Sequence, residues 1–429
     1  MLIAFSVENF RSIRDLQTLS LVEPRTDRHL EWSNLIDPES RRLLKTVAIF
    51  GPNASGKSNM ISAMTWLRQF VLNSSKETQA KEQIDAQPFR LSTAKESAPC
   101  HLEIEFSWND FEYRYGFEVT AKRVESEWLF RKSPKAKPAT LFTRELQQIK
   151  VNAEFFQEGI GLEKHTRENA LFLSVCAQLA GPESAKIIEW MNRFRPVSGL
   201  SEQSFFAFTA TRMGDPKHRA GLLKFAQNAD FNICDLRSEV EEVTEAKLPT
   251  NMPPEIRKML LGQKFLQTDI KTAHEKLDAD GKLVNRVEFD LAKDESQGTQ
   301  KFIALSGPIT HTLEEGSILV VDELEARLHP KLTQAIVDLF HSPVNHKNAQ
   351  LIFAAHDVTL LDPERFRRDQ IWFTEKNKQG ATDLYSLAEF DPQNVRADTK
   401  FSRQYLLGLF GAIPQLAHFQ DAAEDATRK

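Results

Sequence analysis

"FGPNASGKSN", Phe50 to Asn59, sets Gly51 and Gly56 around four residues and follows them with Lys57 and Ser58. Gly51 to Ser58 matches G-x-x-x-x-G-K-[ST] in full. In such a loop the glycines let successive backbone N–H groups turn toward phosphate oxygens. Gly51, Pro52, Asn53, Ala54, Ser55, Gly56 and Asn59 are therefore candidate nucleotide-binding residues, Lys57 reaches the terminal phosphates, and Ser58 is a candidate Mg²⁺ ligand. "KTVAIF", 45–50, is a short apolar run that feeds the loop as a buried strand. After the loop Met60, Ile61, Met64, Leu67, Phe70 and Val71 recur at helical spacing, so the local architecture is strand, loop, helix, with the helix N-terminus offered to the anion. A chance loop of Gly and Lys would lack these flanks. The grip on phosphate is clear, but many machines share it.

An acidic partner stands at "SILVVDELE", 317–325. Ile318 to Val321 read as a fully buried parallel strand ending in Asp322 and Glu323. Asp322 is the candidate to hold a magnesium water shell beside Ser58, and Glu323 the candidate to orient or deprotonate an attacking water. An acidic loop after a core strand is common in α/β proteins, so the pair gains meaning only beside the phosphate loop.

The bulk composition bounds the rest. At 429 residues, with 41% hydrophobic and 27% charged residues, the chain is an ordinary globular protein of two or three domains. A formal charge of -5 argues against a globally basic nucleic-acid coat. Cys100, Cys176 and Cys234 show no C-x-x-C spacing and read as thiols of a reducing compartment. With no signal-like start and no apolar run of about 18 residues, the expectation is a cytoplasmic protein without a membrane partner.

Along the chain, the first 21 residues read as two short strands around a turn at Glu8–Ser12, and alternation in "HLEIEFSW" and "YRYGFEV" predicts an antiparallel sheet over about 100–175. The expected organisation is an N-terminal lobe at 1–175, a mostly helical insertion at 176–265 and a C-terminal lobe at 266–429. "SAKIIEWMNRF" and "PEIRKMLLGQKFL" are the helical pieces of the insertion, "RVEFDL" follows as a strand, and "DAAEDATRK" is a frayed tail.

"KDESQGTQKF", 293–302, resembles the signature motif of ABC-type ATPases in the branch of SMC, RecF and OLD-family proteins. The usual Ser-Gly-Gly is Ser296-Gln297-Gly298 here, so the first glycine is replaced. The resemblance implies an α/β P-loop ABC-type ATPase head with mixed parallel and antiparallel sheets. It also implies that Ser296 and Gly298 contact the γ-phosphate of ATP held by a second copy, a role consistent with the anion affinity of a helix N-terminus. Taken alone, the stretch is an ordinary capped helix start. "LIFAAHD" ends at His356, where such ATPases carry a switch histidine. "AQPFRL" puts Gln87 at the Q-loop glutamine that touches the metal. "ENFRSI" with Arg11, and "DELEARLHP", are similar to the N-terminal turn and D-loop region of the RecF and OLD-like branch, where His329–Pro330 shape the loop.

The ending "YLLGLFGAIPQL", preceded by "RADTKF", resembles ATPase subunits of two-gene bacterial anti-phage cassettes of the RloA or AbiL kind; those apolar residues also suit a terminal helix. The resemblance implies ATP and Mg²⁺ as cofactors, an ATP-dependent dimer or higher oligomer, a separate effector, in particular a nuclease, and a nucleic acid or phage protein as trigger. A RecF-like DNA-maintenance ATPase is the competing reading; a metabolic P-loop kinase is disfavoured by Ser296–Gly298 and His356. OLD-family relatives carry a nuclease domain with clustered carboxylates. The "DAD" at Asp278–Asp280 lies before Gly281 in a polar turn and reads as a hairpin loop instead.

Overall fold

The computed structural model describes residues 1–24, 30–37, 42–76, 79, 82–134, 136–198, 202–242, 266–391 and 400–414. They form two compact units: Met1–Val197 with Gly316–Leu324 and Ile336–Lys429, and Ser198–Glu315 with Glu325–Ala335.

In the first unit a six-stranded sheet runs in the order Phe194–Ser198, Ile318–Asp322, Gln350–Ala354, Thr46–Phe50, Ile371–Lys376, Thr382–Ser386. Ile318–Asp322, Gln350–Ala354, Thr46–Phe50 and Ile371–Lys376 pair in parallel, and only the Thr382–Ser386 strand is shown to turn back antiparallel. "TVAIF" and "QLIFA" are buried at every position, as strands covered on both faces require. A seven-stranded antiparallel sheet runs Gln148–Val151, Ala139–Glu145, Val124–Lys132, Phe111–Val119, Cys100–Trp108, Leu2–Glu8, Gln17–Ser20. The helix Lys57–Asn73 buries Met60, Ile61, Met64, Leu67 and Val71 in one core with Phe5, Ile104 and Phe117 of the antiparallel sheet and Val47, Ile49 and Ile352 of the parallel one. Gln350 stitches the strands beyond that core. Its Oε1 accepts from Leu2 N at 2.6 Å, and its Nε2 donates to Leu2 O at 3.1 Å and Leu44 O at 3.0 Å.

The second unit sets helices Glu202–Arg212, Pro216–Asn228 and Gln297–Glu315 with a three-stranded antiparallel sheet, Ile233–Glu242, Leu266–Leu277 and Leu283–Asp290. Its core includes Ala210, Leu222, Ile233, Leu236, Ile270 and Ile303. Pro308 lies inside the Gln297–Glu315 helix and has no N–H for the carbonyl of Ala304 one turn back. The buried Thr209 hydroxyl takes that place, donating to Ala304 O at 2.6 Å, and Gly307 beside it leaves room for Thr209 to approach.

Several boundaries differ from the sequence reading. The antiparallel sheet ends at Val151 and recruits Leu2–Glu8 and Gln17–Ser20, a pairing across about a hundred residues that no local pattern announces. Helices Phe172–Gln178 and Pro182–Arg193 belong to the first unit, where Trp190 stacks on Phe106. Residues 176–265 are thus not one helical insertion: 233–242 is a strand whose partner, 266–277, lies beyond the expected boundary. Outside the described residues lie most of "PEIRKMLLGQKFL", the tail "DAAEDATRK" and 396–399 of "RADTKF". The terminal helix stops at Leu406, leaving Leu406, Leu407 and Leu409 exposed while Tyr405 and Phe410 pack inward. Asp278 Oδ1 accepts from Asp280 N and Lys282 N, so the "DAD" caps a hairpin turn as its composition suggests.

Two outcomes follow from this packing. Thr209→Val keeps the shape but orphans the Ala304 carbonyl, so stability should fall by about 1–3 kcal/mol, read as a lowered urea midpoint; an unchanged midpoint would show that Thr209 is not the substitute donor. His341 Nε2 sits 2.7 Å from the Thr46 hydroxyl, which already accepts from Gln370 Nε2 and so donates to the ring. Burial, with Lys45 and Arg365 nearby, lowers its pKa to about 3. Below about pH 6.5 the unfolded chain binds a proton that the folded one refuses, so stability should fall by up to about 1.4 kcal/mol per pH unit toward pH 3. His341→Gln, which keeps an acceptor, should flatten that slope in urea titrations at several pH values.

Candidate functional site

Three parallel strands end level with one another. Val321 lies beside Phe353, and Ala354 beside Ile49, so Asp322 and Glu323, His356 and the Gly51 loop emerge at one edge of the sheet. This is where ligands bind in open α/β sheets.

The loop is held by a chain of hydroxyls. Asn59 Nδ2 donates to Ser12 Oγ at 2.6 Å, Ser12 bonds Thr382 Oγ1 at 2.7 Å, and Thr382 donates to the Ser55 carbonyl at 2.8 Å. Ser55 Oγ meets Thr374 Oγ1 at 2.6 Å. Gly56, with φ of 118°, caps the helix; a Cβ there would lie 2.2 Å from Thr382 Oγ1, so only glycine fits. Lys57 is 4% exposed and donates to Gly51 O at 2.7 Å and Pro52 O at 3.1 Å, folded over the loop it belongs to. Asn53, Ala54 and Ser58 are exposed, and Ala54 adopts φ of 63°.

Burial pushes the Asp322 carboxyl up from the usual carboxylate range. The Ser58 hydroxyl hydrogen-bonds it and pulls the other way, Glu323 adds to the rise, and Lys57 opposes it. Asp322 Oδ1 is buried and has no hydrogen-bond partner among the described residues. A hard, oxygen-seeking divalent cation suits such a donor set: one carboxylate oxygen, one serine hydroxyl and ligand phosphate oxygens, in place of an all-protein cage. Glu323 adopts φ of 54°, a left-handed turn that redirects it from Asp322. His356 is held neutral by burial and by the charge of Lys57, with Glu323 pulling the other way. Lys57, Asp322, Glu323 and His356 therefore act on one another electrostatically.

Arg11 and Gln87 form a second group. Arg11 Nε donates to Gln87 Oε1 at 2.6 Å, its Nη1 donates to Ser62 Oγ at 2.9 Å, and Gln87 Nε2 donates to Asp85 at 2.8 Å. The carboxamide oxygen expected to face the metal is committed to Arg11. Both line a cleft of about 810 Å³ with Arg90, Leu91, Lys376 and Gly380. Ser12, Thr374 and Thr382 escape sequence reasoning: single hydroxyl residues in strands and turns carry no spacing signal, although Ser12 stands within "ENFRSI".

In the second unit Ser296 and Gln297 are exposed at the start of the Gln297–Glu315 helix. Ser296 Oγ accepts from Thr299 N at 3.2 Å and lies 2.9 Å from Thr299 Oγ1, an N-cap. A Cβ on Gly298 would lie 2.8 Å from the Arg327 carbonyl, so the helix start is pressed onto the Glu325–Leu328 turn. His329 Nδ1 accepts from Lys331 N at 3.2 Å and so caps the next helix.

With this geometry in place, a family model described as "AAA domain, putative AbiEii toxin, Type IV TA system" matches residues 47–362, well over half of the chain. The chain belongs to that family. Its fold is α/β, with mixed parallel and antiparallel sheets around the phosphate loop. It is 26% identical over 186 residues to the "Phosphonates import ATP-binding protein PhnC" of Nitratidesulfovibrio vulgaris, a match covering 42% of this chain and 65% of that protein. The chain thus spans just under two thirds of that relative. Among solved structures it is similar to an SMC head domain from Thermotoga maritima, at 14% identity and TM-score 0.40 over 90% of this chain and 98% of that one. An SMC head bound to the C-winged helix domain of ScpA gives 13% and 0.43 over 90% and 97%.

Gly298→Ala separates two forces. Helix propensity alone favours alanine by about 1 kcal/mol. The clash with the Arg327 carbonyl should outweigh it and leave the variant about 1–3 kcal/mol less stable in urea unfolding. A stabilised variant would mean that the close approach is absent.

Proposed function

We propose that the chain is an ATP-binding and ATP-hydrolysing switch that dimerises around nucleotide and serves as the regulatory ATPase of a bacterial anti-phage defence system, governing a separate toxic effector. The supporting observation is a division of labour. Lys57, Ser58, Asp322, Glu323 and His356 gather at one sheet edge of the first unit, while exposed Ser296 caps a helix in the second. A shared site between head-to-tail copies uses both: the loop N–H groups and Lys57 grip the phosphates of one copy's ATP, and Ser296 with the N–H groups of its helix start reaches the γ-phosphate from the other.

In this reading Glu323 orients and deprotonates the attacking water, and His356, neutral beside Lys57, senses the γ-phosphate. Mg²⁺, held by Ser58 and Asp322, would neutralise charge developing on the phosphate oxygens. The family description names a toxin of a type IV toxin–antitoxin system, which favours a defence role. The proposed effector is a nuclease on a separate chain, the trigger a nucleic acid or phage protein, and the compartment the cytoplasm.

Glu323→Gln tests this. ATP should still bind, hydrolysis should slow by about two to four powers of ten, and ATP should accumulate a dimer or larger assembly visible by light scattering. Lys57→Ala should lose binding of a labelled ATP analogue altogether. An unchanged hydrolysis rate in Glu323→Gln would sink the assignment of the base. Strong salt-dependent DNA binding with no nucleotide-sensitive protein partner would shift the role to DNA maintenance.

A further inference from the structure

We infer that Glu295 is a positioning residue for Ser296, through which the 266–290 hairpin sets the signature serine for hydrolysis; this rests on the shared-site reading above. Glu295 immediately precedes the cap and is itself 11% exposed. Its Oε1 receives two short hydrogen bonds from the Leu266–Leu277 strand, from Thr272 Oγ1 and His274 Nε2, each at 2.6 Å. The His274 ring packs against Phe289 on the neighbouring strand at 4.8 Å.

The rest of the segment is fastened too. Asp290 caps the Leu291–Asp294 turn and pairs with Lys271 at 2.9 Å. Gln300 Nε2 donates back to Glu295 O at 2.8 Å. Gln300 and Lys271, however, hold backbone or a residue five positions upstream. The Glu295 carboxylate is the side-chain tie that reaches the sheet from the residue adjoining Ser296.

Charge makes the tie more than mechanical. A carboxylate one residue ahead of a helix N-terminus is drawn to the free N–H groups there. Those N–H groups are the ones proposed to meet the γ-phosphate, and a mobile Glu295 would compete for them and repel the anion. Thr272 and His274 hold it on the sheet instead. Any partner that shifts the outer strand Leu283–Asp290, most of whose side chains are exposed, would act on Ser296 through the same bonds.

The test compares Glu295→Leu, Glu295→Gln and the pair Thr272→Val/His274→Leu in the full chain, with circular dichroism melts to confirm folding. Glu295→Gln keeps the Oε1 acceptor and should retain most activity. Glu295→Leu and the Thr272/His274 pair should each lower kcat about 10- to 100-fold, the range for a misplaced contact, while affinity for a labelled ATP analogue stays at the wild-type value. Combining Glu295→Leu with the pair should cost no more than either alone. Wild-type kcat in Glu295→Leu, equal loss in Glu295→Gln, or strict additivity would each overturn the inference. Ser296→Arg is the separate control: if it hydrolyses ATP at the wild-type rate, the shared-site reading itself has failed.

Discussion

The level ends of three parallel strands are the constraint on which the site depends. Parallel pairing puts Ile49 beside Ala354 and Val321 beside Phe353, and so decides that the loop after Phe50, the acids after Val321 and His356 share an edge. Slipping one strand by a residue would turn its apolar side chains to the other face and carry its terminal residue away. Complete burial of "TVAIF" and "QLIFA" penalises that slip on both faces.

Gln350 protects this register from outside the core. A fully buried carboxamide is tolerated only when its polar atoms are satisfied, and here two bonds go to the backbone of Leu2 and one to that of Leu44. The antiparallel sheet thus bears on the parallel one through directional bonds as well as through the apolar face of Lys57–Asn73. The buried Arg367 does comparable work nearby, joining Glu23 at 2.8 Å and Asp369 at 2.7 Å.

What was legible in the sequence was local. The loop between a buried strand and an amphipathic helix, the apolar run into Asp322 and Glu323, and the strand before His356 each announce themselves within about a dozen residues. The pairing of Leu2–Glu8 with Cys100–Trp108, and of Ile233–Glu242 with Leu266–Leu277, joins segments whose partners lie far away or beyond a stretch of helical composition. Periodicity describes a strand, not its neighbour. The hydroxyl chain Asn59–Ser12–Thr382–Ser55 was invisible for the same reason, since it draws on both ends of the chain. The Gln87 oxygen accepts from Arg11, a pairing across 76 residues that no local pattern signals.

The difference between Ser296-Gln297-Gly298 and the Ser-Gly-Gly it resembles has a physical explanation in the second unit. Gln297, where the usual motif has its first glycine, is exposed, and a side chain there meets solvent. Gly298 is the position pressed against the Arg327 carbonyl, where a Cβ would come within 2.8 Å. Close approach of backbone to backbone demands glycine at one of the two positions and leaves the other free. The substituted residue is the free one. Ser296 keeps the cap, Gly298 keeps the packing, and a glutamine between them adds helix propensity at the start of a helix that already contains Pro308.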